Sequence, residues 1–388
     1  MGQQAVKQNT GRQGTSAVAG NGGRVVIFSC GRLRHAGNHE SMTHQALARR
    51  LAALKGFEFD GEFDPDRREA CPYYFVPDDT VCALDLAKDL GIFCLHDMFG
   101  GVVPYPFVAT KTITHPLVSP DARAPTGWMP CFARAVRTVV LPGFSVFSLQ
   151  DARQAGALLL KEGAVRLKQA GGIGGSGQSV VADAGALEAE LQALDPAVLE
   201  REGLVLERNL AEVETLSIGQ VRVGRLLATY HGIQRLTRNN RDQLVYGGSE
   251  LTVVRGDFDV LQRLRPPPHV QTAIAQARKY HNAAKASFPG MFLSRANYDI
   301  AQGVDDQGQW RSGVLEQSWR IGGASGAEVA ALEAFRADPA LRVVRASTTE
   351  IYGDGVHVPS DAQVLFHGID QHVGPLTKYS RVEPYAHP

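Results

Sequence analysis

Ala164-Val165-Arg166-Leu167-Lys168 runs without a break into Gln169-Ala170-Gly171-Gly172-Ile173-Gly174-Gly175-Ser176-Gly177. The first five residues read as a strand that ends in a lysine. The next segment holds five glycines in seven residues, Gly171 to Gly177. Glycine reaches positive φ without steric cost and lets a backbone approach a ligand closely. Successive free amides in such a loop form an anion cradle, and Lys168 adds a positive charge beside it. No Gly-Lys-Ser/Thr ends the run, so it is not a P-loop, and it is not a GxGxxG after the first strand. A flexible surface hairpin has the same composition. Ordering so many glycines is costly, so the loop is expected to close as a lid only over bound phosphate.

Further along the chain, Leu204-Val205-Leu206-Glu207-Arg208-Asn209-Leu210 is an apolar strand ending in an acid, and Glu214 follows seven residues after Glu207. Alone, such a strand could end in a solvated tip. Asn297 to Ala301 and Trp310 to Glu316 read as two strands joined around Asp305-Asp306-Gln307-Gly308, a turn sequence. They carry Asp299 and Glu316. Period-2 alternation puts Glu316, Ser318 and Arg320 on one face. Carboxylates and a hydroxyl are hard oxygen ligands of the kind magnesium takes beside substrate phosphates, and a guanidinium suits a phosphoryl oxygen. A salt-bridged solvent face is the competing reading.

Taken in order, these stretches resemble the ATP-grasp superfamily, and within it an uncharacterised bacterial branch described only as a domain of unknown function. The resemblance covers about residues 130 to 335. It implies a small N-terminal parallel α/β domain followed by two α+β subdomains. The boundaries are a disordered tail at 1–23, an N-terminal domain and linker at 24–130, a small subdomain with the glycine-rich lid at 131–212, and a large subdomain with the metal site at 213–388. It implies ATP and Mg2+ as cofactors. Lys168 with Gly174, Gly175, Ser176 and Gly177 would hold phosphates. Glu207, Arg208, Asn209 and Leu210 would hold adenine, and Glu214 the ribose. Asp299, Glu316 and Ser318 would hold metal, with Ser318 standing where the family usually has Asn. Arg320, Lys168 and Arg295 would meet the reacting phosphate or an anionic substrate. Lys111 is the candidate first nucleotide lysine, in competition with Arg134 and Arg137. The implied activity is ligation: a carboxylate activated as an acyl phosphate, then attacked by an amine or thiol. A nucleotide-binding protein of the same fold without ligase activity, kinase-like or regulatory, is the alternative, motivated by Ser318.

The rest of the chain frames this reading. Its 388 residues suggest two or three domains, with 44% hydrophobic and 21% charged residues as in ordinary globular proteins. Lys plus Arg and Asp plus Glu both number 40, so net charge exerts no pull toward nucleic acid or a membrane surface. The expected partners are small molecules, neither nucleic acid nor membrane, and homodimer formation stays open. Five scattered cysteines without CxxC spacing point to reduced thiols in the cytoplasm. Val25 to Cys30, Tyr73 to Val76 and Gly91 to Cys94 read as strands separated by helices. The proline-rich stretch 98–130 reads as a long ordered loop. Turns are expected at Arg238-Asn239-Asn240 and Gly247-Gly248. Arg235 and Arg238, and His35, His39 and His44, are weaker site candidates, and loops at 31–43, 98–130 and 345–375 are expected to set specificity.

Overall fold

A computed structural model of the chain describes residues 22–31, 38–172 and 177–385. Residues 1–21 of the tail expected at 1–23, His35, and Gly174, Gly175 and Ser176 of the glycine loop lie outside the described residues.

The chain opens with a parallel sheet. β1 (Arg24–Phe28) is followed by α1 (His39–Lys55), β2 (Glu58–Glu62) and β3 (Tyr73–Pro77), and β1 lies between the other two. The right-handed crossover rule favours a helix between parallel neighbours, and α1 fills that place. Asn38 caps α1, accepting from the Ser41 amide, and Gly56 ends it at φ 70°. The third strand differs from expectation. Gly91–Cys94 is a turn, and the sheet is completed instead by Glu58–Glu62, an exposed edge strand whose polar sequence hides it.

Short β4 (Val81–Cys82) and α2 (Leu84–Leu90) lead to β5 (Gly101–Val103). The stretch expected as a loop at 98–130 therefore holds a strand, and two 3-10 turns follow at Pro106–Ala109 and Lys111–Thr114. These turns are pinned because Phe107, Val108 and Ile113 sit in a core with Phe132 and Tyr280.

Next come α3 (Pro130–Val136), β6 (Gly143–Val146), α4 (Leu149–Leu159), β7 (Val165–Gln169), β8 (Gln178–Val181), α5 (Ala184–Gln192), α6 (Pro196–Glu202) and β9 (Leu204–Arg208). Strands β6-β9-β7-β8 form an antiparallel sheet. Its core, with Leu167, Val181, Leu187 and Leu206, is separate from the others. Val139 to Pro142, an apolar run, precedes β6 without forming a strand.

The remainder is dominated by an eight-stranded antiparallel sheet. Its strands are β10 (Ala211–Val223), β11 (Leu226–Arg238) and β12 (Leu244–Arg255). After α7 (Phe258–Gln262), α8 (Pro268–Ser287) and β13 (Phe292–Leu293), which pairs with β5, come β14 (Arg295–Val304) and β15 (Trp310–Ser318). After α9 (Ser325–Ala337) it ends with β16 (Val343–Tyr352), β17 (Gln363–Asp370) and β18 (Gly374–Pro384). The order is β15-β14-β10-β11-β12-β16-β18-β17. Gly247 and Gly248 lie inside β12 and do not form a turn. Gly248 sits at φ 138° where the register slips opposite Arg235 and Leu236, and a Cβ there would meet the Thr348 carbonyl oxygen at 2.1 Å. A strand glycine marked a bulge, not an end. The segment 345–375, expected as a specificity loop, is mostly strand. α1 packs on β17 and α9, and the His39 amide donates to Asp370 at 2.8 Å.

Candidate active site between two antiparallel sheets

The alternation of β7, β9, β10, β14 and β15 aims one residue in two into a cavity of about 750 Å³ between the four-stranded and eight-stranded sheets. Lys168, Glu207, Arg208, Leu210, Asp299, Glu316, Ser318, Arg320 and Arg295 all line it.

Lys168 lies at the end of β7, almost wholly buried, with Nζ 2.9 Å from Glu207 Oε1. It also donates to the Leu315 carbonyl at 3.2 Å. Glu207 is 1% exposed, and its Oε2 lies 3.1 Å from His115 Nε2. Burial opposes ionisation of Glu207, but the Lys168 ammonium and the His115 hydrogen bond overcome it and hold the carboxyl at about 2. Burial also lowers His115, keeping the imidazole neutral. The three groups fit because residue 143 is glycine: a Cβ there would lie 2.9 Å from Glu207 Cβ and 3.0 Å from His115 Cε1.

Lys111, on the second 3-10 turn, is also buried. Its Nζ donates to the Gly172 carbonyl at 2.8 Å and lies 2.7 Å from Glu316 Oε2. It lines a second cavity of about 740 Å³, which shares Glu316, Ser318 and Arg320 with the first and reaches Gly171 and Gly172. Arg134 and Arg137 line neither cavity. Gly177, at φ 65°, accepts from the Gln169 amide at the stem of the glycine loop.

Asp299 and Glu316 are cross-strand partners on β14 and β15. Asp299 Oδ1 accepts from Ser217, Asn297 and Gln234 at 3.0, 3.0 and 3.1 Å. Burial and the nearby Glu316 carboxylate push Asp299 up to about 6, despite those hydrogen bonds. Among the described residues, no group of three or more His, Cys, Asp or Glu could hold a metal ion. Two facing carboxylates that repel one another still suit magnesium, which takes one or two protein carboxylates and completes its shell with water and phosphate oxygens. Ser318 Oγ lies 3.2 Å from the Arg295 guanidinium.

Three expected residues sit differently. Arg295 is not poised for a ligand. It is 2% exposed, and its guanidinium donates to both Glu328 oxygens, to the Ser318 carbonyl at 3.0 Å and to the Arg320 carbonyl at 2.6 Å. It holds the backbone that carries Ser318 and Arg320. Glu214 is exposed and does not line the cavity, whereas Val213, Thr215 and Ser217 do. Glu212 at φ 50° and a register break between Ala211 and Glu214 set that alternation. Asn209 also lies outside the cavity lining: its amide donates to the Ala164 carbonyl and its Oδ1 accepts from Arg166. Arg208 pairs with Asp305 and Glu162. Arg235, one of the weaker site candidates, pairs with Glu250 on the exposed surface.

The network His115–Glu207–Lys168, the three donors to Asp299, and Glu328 were not foreseen. Alternation from Asp299 would have found Asn297; the rest depends on register between strands far apart in sequence.

With its two antiparallel sheets facing each other across this cavity, the chain has the ATP-grasp fold. It is similar to carboxyaminoimidazole ribonucleotide synthase from Aspergillus clavatus, solved with ATP, at 12% identity and TM-score 0.50, covering 95% of each chain. It is similar to biotin carboxylase from Campylobacter jejuni at 11% identity and TM-score 0.50, covering 92% of this chain and 87% of that one. No curated protein sequence matches. Over residues 27–380 the chain belongs to the family described as protein of unknown function (DUF3182). Among the described residues no helix is long and apolar enough to cross a membrane.

Proposed function

We propose that the protein is an ATP- and magnesium-dependent ligase that activates a carboxylate for attack by an amine or thiol. The observation that carries this reading is the convergence of Lys168, Asp299, Glu316 and Arg320 on one cavity. Lys168 and Lys111 would neutralise phosphate charge, and Arg208 and Leu210, which line the cavity, would receive adenine. Asp299 and Glu316 would hold magnesium, which supplies charge neutralisation at the phosphoryl oxygens when bound. Arg320, its carbonyl held by Arg295, would face the transferred group. The substrate carboxylate oxygen attacks the γ-phosphorus as the bond to ADP breaks. The amine or thiol then attacks the acyl carbon, and phosphate leaves. Positioning and electrostatics suffice for this chemistry, so no covalent protein residue is needed.

A second reading, nucleotide binding without ligation, is favoured by one observation: Glu316 is already paired with Lys111 and the Ser318 hydroxyl with Arg295. One experiment addresses both. Millimolar ATP with magnesium should raise the melting temperature, because a ligand at a hundred times its Kd adds about 2.7 kcal/mol. ADP release should then rise on adding a pool of small carboxylates and amines. An unchanged melting temperature sinks both readings; stabilisation without turnover across the pool leaves the second.

A further inference from the structure

The main cavity runs on past Gly322 and Gly323 to a second polar wall, built from the start of α1 and from β16 and β18. Glu350 and Lys378 stand opposite each other on those strands and form an ion pair of 2.8 Å. Lys378 is 8% exposed. An ammonium carries three N–H donors, and the hydrogen bond of the Lys378 ammonium among the described residues is the one to Glu350 Oε1. Close by, His39 Nδ1 is buried without a partner, and Glu40 adds a second carboxylate at the cavity wall. Burial pushes the Glu350 carboxyl up and Lys378 draws it back, while Glu40 works against ionisation.

A buried pair with unspent hydrogen-bonding capacity is a poor structural device, since an apolar pair of the same size often serves stability better. It is well suited to exchange. A simple anion would draw Lys378 away and strand Glu350 beside Glu40. A simple cation would strand Lys378. A ligand carrying both charges opens the pair and restores a partner to each side.

We propose that this end of the cavity binds a small zwitterion of the amino-acid kind, its carboxylate on Lys378 and its ammonium on Glu350. The inference rests on the ligase reading only for the ligand's purpose, as the amine substrate; binding itself does not require ATP. Calorimetric titration of the full chain without nucleotide tests it, using the twenty protein amino acids, D-alanine and β-alanine. At least one should bind, and its matched amine-only and carboxylate-only analogues should bind tenfold or more weakly. The double variant Glu350→Gln, Lys378→Met leaves no lone buried charge. It should lose zwitterion binding at least tenfold and keep the melting-temperature rise given by ATP with magnesium. The inference is overturned if no zwitterion in the panel binds, if a single-charge analogue binds equally well, or if the double variant binds like the wild type. Failure of ATP to stabilise the wild type would instead remove the ligase reading and leave this titration intact.

Discussion

Substituting Glu207→Gln isolates the buried charge network in the wall of the main cavity. The change keeps the side-chain shape but removes the negative charge that lies 2.9 Å from Lys168 Nζ. The glutamate carboxyl sits at about 2 against an ordinary 4.5. At about 1.4 kcal/mol per pH unit, that difference corresponds to ~3 kcal/mol. Removal of one partner from a buried pair costs about 3–5 kcal/mol in other proteins, so the two routes agree. With a urea dependence of about 3 kcal/mol per molar, the unfolding midpoint at pH 7 should fall by about 1 M. The sign with pH is fixed. A depressed carboxyl stabilises the fold above its unfolded value, and that stabilisation is lost as pH falls through the folded one. The Glu207 contribution to the gap between wild type and variant should therefore be constant from pH 8 to about 5 and shrink toward pH 2. His115, lowered by burial and held up by Glu207, removes further stability as pH falls below its ordinary 6.5, and more from the variant, which lacks that carboxylate, so the gap should first widen in mild acid. A midpoint that is unchanged at pH 7, or a gap that does not shrink toward pH 2, would refute the coupled network.

Three further outcomes follow from the same geometry. Glu316→Gln should lower magnesium-dependent ATP turnover about a hundredfold or more, and, because it leaves the buried Lys111 ammonium beside a neutral group, it should also lower the urea midpoint while circular dichroism stays native; turnover close to wild type would remove Glu316 from the proposed metal site. Glu328→Gln should cost about 3–5 kcal/mol, measured by urea unfolding, because it leaves Arg295 buried beside a neutral group; a loss below about 1 kcal/mol would mean that Arg295 is held by the carbonyls alone. Asp299→Asn should stabilise the nucleotide-free protein at pH 8 by up to ~3 kcal/mol, since a carboxyl raised to about 6 loses stability as pH rises through that value. The gain should vanish near pH 4, and equal midpoints at pH 8 would show that Asp299 is not penalised by burial.

How much of this was legible beforehand depends on whether the deciding information is local. Lys168 before the glycines, Glu207 at a strand end, and Asp299 ahead of Glu316, Ser318 and Arg320 are residue types at fixed spacing, and the fold brings all of these to one cavity. Partners across strands are not local. His115 meets Glu207 across 92 positions, and Glu328 reaches Arg295 from a helix. Glu214 is singled out by its distance of seven residues from Glu207, and the irregularity between Ala211 and Glu214, with Glu212 at φ 50°, turns it away from the cavity. Glu58–Glu62 shows no apolar run because it is an exposed edge. The strands after Val343 carry Ser, Thr, Arg and Lys on half-exposed faces, so composition marked them as loops.

The seating of α1 against β17 sets an order of events during synthesis. The Asp370 that accepts from the His39 amide is made 331 residues later. At about 5–20 residues per second, a nascent chain waits roughly 15–70 s before that surface can be covered. Until then Leu47, Leu51 and Ala48, which end in a core with Leu365, have no C-terminal partner to pack against. A ribosome stalled before codon 363 would present that apolar face to chaperones, and the Glu350–Lys378 end of the cavity would be completed last.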